Sequence, residues 1–139
     1  MKLIPFLGFT GQTHEAFRFY AGALGGRVTG ETRYDQMPPM GDDAGPLDPA
    51  LAALVAHAQL EAGGALLMAA DAGCAEDAAA GQTTINIEVD SIEEAERVFA
   101  AMADGGQVQV PLQETFWARR WGWLVDRYGK PWMVNCMKP

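Results

Sequence analysis

The 139-residue chain has little of several features on which specialised protein classes depend. It has only two cysteines, Cys74 and Cys136, far apart and without CxxC spacing, which favours a reduced protein with incidental thiols. No apolar run approaches the roughly 20 residues that a membrane-spanning helix requires. The N-terminal residues lack the apolar length and the small-residue cleavage site of a secretion signal. We therefore expect a cytoplasmic protein with no membrane partner.

Positive charge is scarce as well. The chain has 10 Lys and Arg residues against 18 Asp and Glu residues, so its net charge is −8 and its pI is near 4.6. Binding to nucleic acid or to an anionic membrane needs a basic face, so neither is an expected partner. Hydrophobic residues make up 49% and charged residues 20%, a composition typical of globular proteins. The length fits one domain, residues 1–139, with a single core.

An internal repeat is the most informative feature that is present. Residues 15–21 read EAFRFYA and residues 94–100 read EAERVFA, with four of the seven positions identical. Each copy is followed by a glycine pair, Gly25-Gly26 in the first and Gly105-Gly106 in the second. A repeat with a period of about half the chain indicates an internal duplication.

Both copies of the repeat predict a helix, because their apolar residues recur at helical spacing. Thr13 is the expected N-cap of the first helix. Ser91 and Glu94 form the pattern of a capping box at the start of the second. The glycine pairs are expected to supply the left-handed residue that ends each helix.

Around the helices the apolar period changes to two, which indicates half-buried strands. An Asp126–Gly129 turn is expected to join the last two. The predicted strands are residues 2–9, 26–33, 54–61 and 64–70 in the first copy, and residues 84–89, 107–113, a strand ending near Val125, and 131–137 in the second.

Each half therefore reads strand, helix, strand, strand, strand. The sequence predicts an α+β fold of two tandem βαβββ modules, the first at about residues 1–70 and the second at about 83–139. Residues 71–82 are small and polar and are expected to link the modules. Residues 35–53, rich in proline and glycine, are expected to form a long loop.

The alternation of side chains between the two faces of a strand, here called strand parity, gives a set of candidate ligand-binding residues. Side chains that alternate with the core-facing ones point to the opposite face of each strand, where apolar walls and a few polar groups are typical of a small-molecule pocket. The candidates are His57, Gln59, Met68, Asn86, Glu88, Gln113, Thr115, Trp117, Met133 and Asn135.

Structural interpretations of the same residues stay open. The amides can satisfy one another in a polar layer, and the methionines can be core filler. Trp117, Trp121 and Trp123, with Arg119 and Arg120 between them, can bind an anion or an aromatic ring, or pack against a second subunit. Neither cysteine has a paired base, so no catalytic residue is assigned.

Several motifs carry a resemblance to a known superfamily. They are QETFWA at residues 113–118, DRYGKPWMVN at residues 126–135, and the opening Phe9-Thr10-Gly11. With the duplicated module, they resemble the vicinal oxygen chelate superfamily, which includes glyoxalase I, bleomycin-resistance proteins and extradiol dioxygenases. The chain looks most like its PhnB-like group, often labelled demethylubiquinone methyltransferase-like. The resemblance implies a glyoxalase-like fold with a cupped mixed β-sheet, assembled as a homodimer.

The superfamily's usual metal ligands do not carry over to this sequence. In the metal-using members, one His or carboxylate comes from each of four strands. The matching positions are Pro5, Met68, Thr84 and Met133, none of which offers a charged or imidazole ligand. A glycine-rich loop after a strand, as a methyltransferase cofactor would need, is not found either. We therefore expect no metal and no cofactor, and methyl transfer is disfavoured.

The leading functional hypothesis is a protein that binds or transforms a small polar molecule in the cupped face without the usual metal. One alternative is a metal-dependent lyase, isomerase or dioxygenase that uses non-standard ligands such as His57 and Glu88. Another is a non-enzymatic resistance protein that sequesters an antibiotic. Fold does not fix function, so the sequence leaves these alternatives open.

Overall fold

The computed structural model describes residues 1–38, 45–71 and 83–139. Its contacts fall into two compact units, Met1–Ala78 and Ala79–Pro139, which are described one at a time. Both units have the element order strand, helix, strand, strand, strand, as the repeat predicts. None of the helices in the described parts of the chain is long and apolar enough to cross a membrane.

The first unit is a four-stranded mixed sheet with one helix on one face. Its strands lie in the order β1-β4-β3-β2, with β1 parallel to β4 and the other pairs antiparallel. Its elements are β1 (Phe6–Phe9), α1 (Thr13–Leu24), β2 (Arg27–Arg33), β3 (Val55–Ala62) and β4 (Ala65–Asp71), with a 3-10 turn at Tyr34–Gln36.

The second unit repeats this topology. Its strands lie in the order β5-β8-β7-β6, with β5 parallel to β8 and the other pairs antiparallel. Its elements are β5 (Ile85–Glu88), α2 (Ile92–Ala103), β6 (Gln107–Gln113), β7 (Ala118–Val125) and β8 (Pro131–Met137).

Each helix buries its apolar stripe against its own sheet. In the first unit Phe17 and Tyr20 of α1 are buried, as are Ala58 and Leu60 of β3. Burying one such large side chain contributes roughly 1.5–3 kcal/mol. In the second unit the buried side chains are Ala95, Val98, Phe99 and Met102 of α2, with Leu124, Trp132 and Val134 of the sheet. The face of each sheet that points away from its helix, here called the helix-distal face, is left for other contacts.

Two details at the N-terminal side of the first unit differ from the sequence prediction. Strand β1 begins at Phe6 rather than at residue 2; the carbonyl of Pro5 accepts a bond from Met68 N, but proline has no N–H for a strand ladder. Thr13 is the first helical residue and not the N-cap, which is Gln12. The side chain of Gln12 makes no capping bond, so the helix is capped from elsewhere.

The other helix ends are mostly as predicted. Ser91 caps α2, and its Oγ accepts a bond from the N–H of Glu94 at 3.1 Å, one half of the predicted capping box. Helix α1 ends at Gly25 with a φ of 67°, as the glycine pair predicts. Helix α2 instead ends at Asp104 with an ordinary φ, and the left-handed residue is the next one, Gly105.

The predicted loop and linker are only partly within the described residues. The loop at residues 35–53 begins in the 3-10 turn, and backbone bonds from Tyr34 to Leu54 and from Asp35 to Ala52 tie its ends together. Of the linker at residues 71–82, only Asp71 is described, and it is the last residue of β4. Cys74 lies outside the described residues, whereas Cys136 is buried on β8.

Candidate functional site

Strand parity holds in both sheets, so most candidate residues lie on the helix-distal faces. On β3, Ala58 and Leu60 are buried beneath α1, while the alternating His57 and Gln59 are half-buried on the other side. On β7, an added Cβ at Gly122 would lie 2.6 Å from the Phe99 ring of α2, so Gly122 faces that helix. Its neighbours Trp121 and Trp123 therefore face away from α2.

In the first unit the helix-distal face brings together three candidate residues. Gln59 pairs with Met68 across β3 and β4, and Met68 pairs with Phe6 of β1. The ring of Phe6, which is 50% exposed, lies 6.2 Å from the ring of His57. Gln59 Nε2 donates to Thr29 Oγ1 at 3.2 Å, whereas the His57 ring makes no hydrogen bond with any described residue. The polar layer of the sheet thus uses Gln59 but not the His57 imidazole.

In the second unit the helix-distal face, here called the indole face, carries two cross-strand rows. Adjacent side chains in such rows are about 5 Å apart at their Cβ atoms. One row runs Glu88, Asn135, Trp121, Gln113, and the other runs Asn86, Met133, Trp123. Glu88, Asn86 and Gln113 are exposed, whereas Met133 and Trp121 are half-buried.

Asn135 is the unusual member of the indole face. The residue is 7% exposed, and its Oδ1 atom is buried with no hydrogen-bond partner among the described residues. Its Nδ2 atom contacts only a weak acceptor, the Met137 sulfur, at 2.9 Å. Leaving a buried acceptor without a partner costs about 1–3 kcal/mol, so such a group calls for an explanation.

Two candidates do not lie on a strand as predicted. Strand β6 ends at Gln113, and Thr115 and Trp117 belong to the connection before β7. The reason is a tight turn in which Thr115 N donates to the carbonyl of Ala118 and Ala118 N donates to Thr115 Oγ1, at 3.0 and 3.1 Å. The Thr115 hydroxyl is therefore used within the turn.

This connection and the start of β7 form an aromatic tip, here defined as Phe116, Trp117 and Trp121. The rings of Phe116 and Trp117 are 4.8 Å apart, and those of Trp117 and Trp121 are 5.5 Å apart, both edge-on. The side chain of Phe116 is 90% exposed. The tip is thus a continuous apolar surface at one end of the β6–β7 hairpin.

The two arginines between the tryptophans are held by the protein itself. The Arg119 guanidinium donates to the backbone carbonyls of Met137 and Asp90, at 3.1 and 2.9 Å. Arg120 donates to the carbonyl of Arg119 and lies 3.8 Å from the Glu96 carboxylate. These contacts position both side chains for structural roles rather than for stacking on the tryptophans.

The positions that match the superfamily's metal ligands do not fit a metal ion. None of Pro5, Met68, Thr84 and Met133 offers a charged or imidazole side chain. Their strand neighbours Phe6 and Asn86, which pair with Met68 and Met133, offer none either. Within residues 1–38, 45–71 and 83–139, no three His, Cys, Asp or Glu side chains come together as a metal-binding group.

Asp71 is an organising residue that the sequence analysis used only as part of its predicted linker. It is 2% exposed, and its Oδ1 accepts bonds from Gly11 N, Thr13 N and Thr13 Oγ1, at 3.0, 3.1 and 2.7 Å. Its Oδ2 accepts from Val55 N at 3.0 Å. Asp71 therefore caps α1 from β4. The one available signal was an acidic residue at the end of an apolar strand.

Asp126 organises the last hairpin in a similar way. Its Oδ1 accepts from Tyr128 N and Lys130 N, and the turn that ends at Gly129 forms as predicted. Its Oδ2 accepts from the indole N–H of Trp132 at 2.8 Å. Trp132 is therefore fixed in the core, unlike the tryptophans of the indole face.

Two acidic side chains, one half-buried and one exposed, have lowered pKa values. Partial burial raises the pKa of Glu31, but the Arg18 guanidinium and the His14 ring, 3.1 and 2.9 Å away, lower it more. The contacts of ionised Glu31 with these two side chains stabilise the fold at pH values above the ordinary carboxyl pKa. This stabilisation is lost as the pH falls through the lowered pKa of Glu31. The Lys138 ammonium, 3.0 Å away, likewise lowers the pKa of Glu114. His14 is 59% exposed and lies away from the candidate site.

Comparison with known proteins places the chain among relatives of similar length. A family model described as 3-demethylubiquinone-9 3-methyltransferase matches residues 1–135. Protein YjdN of Escherichia coli (strain K12) is 30% identical over 142 residues, covering 99% of this chain and 97% of YjdN. The crystal structure of PA1353 from Pseudomonas aeruginosa is 37% identical with a TM-score of 0.83, covering 100% of this chain and 99% of that one.

Two further solved structures bear on the fold. The putative 3-demethylubiquinone-9 3-methyltransferase, PhnB protein, from Bacillus cereus is 25% identical with a TM-score of 0.76, over 98% of this chain and 99% of that one. The fosfomycin resistance protein FosX from Listeria monocytogenes is 9% identical with a TM-score of 0.67, over 99% and 93%. The latter shows a shared fold alone. Together they confirm the predicted glyoxalase-like fold of two βαβββ modules.

Proposed function

Since the chain belongs to the PhnB-like family described as 3-demethylubiquinone-9 3-methyltransferase, we propose that it binds a small polar molecule on its helix-distal faces. The proposal rests on two polar groups of these faces that lack a hydrogen-bond partner among the described residues. The His57 ring has no hydrogen-bond partner among the described residues, and Asn135 Oδ1 is buried without one. Each lies beside an aromatic side chain, Phe6 for His57 and Trp121 for Asn135, and polar groups beside apolar walls are typical of a small-molecule site.

Methyl transfer is not the activity that we propose, despite the family's description. A cofactor such as S-adenosylmethionine is normally held by a strand, a glycine-rich loop and a helix. Between β1 and α1 there is a single glycine, Gly11, and its N–H already donates to Asp71. The connection between β5 and α2, residues 89–91, has no glycine.

We also infer that binding does not use the superfamily's metal. FosX, which shares the fold, is described in complex with Mn(II). In this chain the side chains at the matching strand positions include Met68 and Met133, which are poor ligands for such an ion. The metal-dependent alternative names His57 and Glu88 as ligands, but no three His, Cys, Asp or Glu side chains of the described residues form a metal-binding group.

The proposal is tested by elemental analysis followed by a ligand screen. Protein purified without chelators is expected to carry under about 0.2 equivalents of any divalent transition ion. Compounds that raise the melting temperature are then titrated by calorimetry. Near-stoichiometric zinc, nickel, manganese or iron that is lost on His57→Ala would contradict the metal-free proposal.

Substitutions then locate the binding face. A ligand on the first unit's face is expected to bind His57→Ala more weakly, and one on the second unit's face to bind Gln113→Ala more weakly. Removing a hydrogen-bond partner that becomes buried against the bound ligand costs about 1–3 kcal/mol, or about five- to 150-fold in affinity. The control His14→Ala removes only an exposed contact with Glu31 and is expected to bind normally. Normal binding by both folded test variants would end the assignment of these faces.

A further inference from the structure

We propose that the indole face binds a flat aromatic molecule whose N–H group donates a hydrogen bond to Asn135 Oδ1 while its ring lies against Trp121 and Trp123. The inference rests on the proposed function and names the class of ligand for one of its two faces. It uses contacts within the second unit only. A planar ring with a donor at its edge is the ligand chemistry that the following observations select.

The buried oxygen of Asn135 calls for a hydrogen-bond donor on the ligand. Among the described residues, Asn135 Oδ1 is the side-chain nitrogen or oxygen atom that is both buried and without a partner. Pairing of β8 with its neighbours is completed by the backbone, where the carbonyl of Asn135 accepts a bond from Val89 N at 2.9 Å. The side-chain amide is therefore not needed for the sheet, and an N–H from a ligand would satisfy its oxygen.

Aromatic walls set the preference for a flat ring. Trp121 lies beside Asn135 across β7 and β8, and Trp123 lies beside Met133 in the next row. The Trp117 ring meets Trp121 edge-on at 5.5 Å, which supports the Trp121 ring from the side. The indole N–H groups of these tryptophans make no hydrogen bond with described residues. Indoles held in this way offer broad apolar surfaces for another ring.

The charges around the row that contains Asn135 and Trp121 disfavour an anionic ligand. The Glu88 carboxylate lies next to Asn135 in the same row, is exposed and forms no ion pair with a described residue. The nearby Arg119 guanidinium donates to two backbone carbonyls. A neutral or cationic N–H donor therefore fits this row better than a carboxylate does.

One flexible side chain lies against the Asn135 amide, in contact with its nitrogen. The Met137 sulfur lies 2.9 Å from Asn135 Nδ2, and the Met137 side chain is 42% exposed. Methionine is unbranched and has three rotatable bonds, so it can turn toward solvent at low cost. A ligand ring can then take its place above the amide.

Indole and 1-methylindole form a matched pair of probes, because methylation removes the one N–H donor and keeps the flat ring. We expect indole to bind the full chain at least fivefold more tightly than 1-methylindole. The titrations are followed by NMR, through the side-chain N–H signals of the tryptophans in ¹⁵N-labelled protein. The signals of Trp121 and Trp123 are expected to move. That of Trp132, whose N–H donates to Asp126, is the internal control and is expected to stay in place.

Substitution of the acceptor completes the test. Asn135→Leu is expected to keep its melting temperature, since it removes a buried unpaired group, and to bind both probes alike. Gln107→Leu, at an exposed position of β6 outside both rows, is the matched control and is expected to keep the preference for indole. If Asn135→Leu does not fold, the probe pair on the unchanged protein decides alone.

Three outcomes would overturn this inference: equal affinity for the two probes, no signal change with either at millimolar concentration, or a preference for indole that survives in Asn135→Leu. Compounds from the thermal screen that bind while neither probe does would overturn it and leave the proposed function standing. A screen without any binding compound would instead remove the proposed function.

Discussion

Asp71 caps helix α1 from a strand far along the chain, whereas helix α2 is capped by Ser91 at its own N-terminus. The Asp71 carboxylate serves the N–H groups of Gly11, Thr13 and Val55, and so fixes the β1–α1 connection and the start of β3 at once. Ser91 serves the single N–H of Glu94. The two halves of the duplication thus use different residues for the same requirement of a helix end.

This difference predicts unequal costs for removing the two caps. Asp71→Ala leaves several N–H groups unpaired, two of them buried, and is expected to lower the free energy of unfolding by about 3 kcal/mol or more. Ser91→Ala is the matched control and is expected to cost about 1 kcal/mol. Urea denaturation of both variants measures the difference. A loss in Asp71→Ala no larger than that in Ser91→Ala would show that Asp71 is not the organising residue.

For single residues, the sequence predicts which face of a strand a side chain occupies, because that follows from local alternation. It does not predict hydrogen bonds between residues that are far apart in the chain. The helix-distal placement of His57 and Asn135 follows from alternation along a strand, which needs no knowledge of the rest of the fold. The bond between Asp71 and Thr13 spans 58 residues, and no local pattern indicates it. Thr115 and Trp117 were misplaced because a tight turn, rather than a continued strand, follows Gln113.

At the scale of whole elements, the glycine pairs do two jobs in each copy. The first glycine takes a left-handed conformation, with a φ of 67° at Gly25 and 77° at Gly105. The second lets the chain pass close to a neighbouring strand. A Cβ at Gly26 would overlap the carbonyl oxygen of Glu61 and lie 2.7 Å from Ala62 Cβ, and one at Gly106 would overlap the carbonyl of Val125. The sequence predicts the first role, because helix ends have a local signature, but not the second.

Gly26→Ala is therefore expected to destabilise the protein by about 1–3 kcal/mol, because the added methyl group has no room. Gly22→Ala is the matched control, since Gly22 is an exposed position in α1 with nothing within 4 Å of an added Cβ. That variant is expected to gain about 0.5–1 kcal/mol, from the better helix propensity of alanine. Chemical denaturation of the two variants gives both values, and a Gly26→Ala protein as stable as the unchanged chain would refute the close approach.

At the scale of the whole molecule, the repeat determined most of what could be predicted. Two copies of one motif at a half-chain period imply two modules of the same topology, and the strand orders β1-β4-β3-β2 and β5-β8-β7-β6 agree with that. The ligand could not be predicted in the same way, because the groups that select it are individual side chains on the helix-distal faces. Those side chains differ between the modules, with His57 in one and Asn135 in the other.

The aromatic tip leads to a prediction about assembly: we propose that the protein forms a two-fold dimer that buries Phe116. A contiguous exposed apolar patch is uncommon on a monomer, and in a two-fold interface the same patch serves both subunits. Light scattering at micromolar concentration is expected to give twice the chain mass of 14.9 kDa. Phe116→Ser is expected to shift the equilibrium toward the monomer. Leu3→Ser is the matched control, since Leu3 is 91% exposed against 90% for Phe116 but lies outside the tip. A clean monomer of the unchanged protein, or a Phe116→Ser variant that dimerises as well as Leu3→Ser, would refute an interface built on the tip.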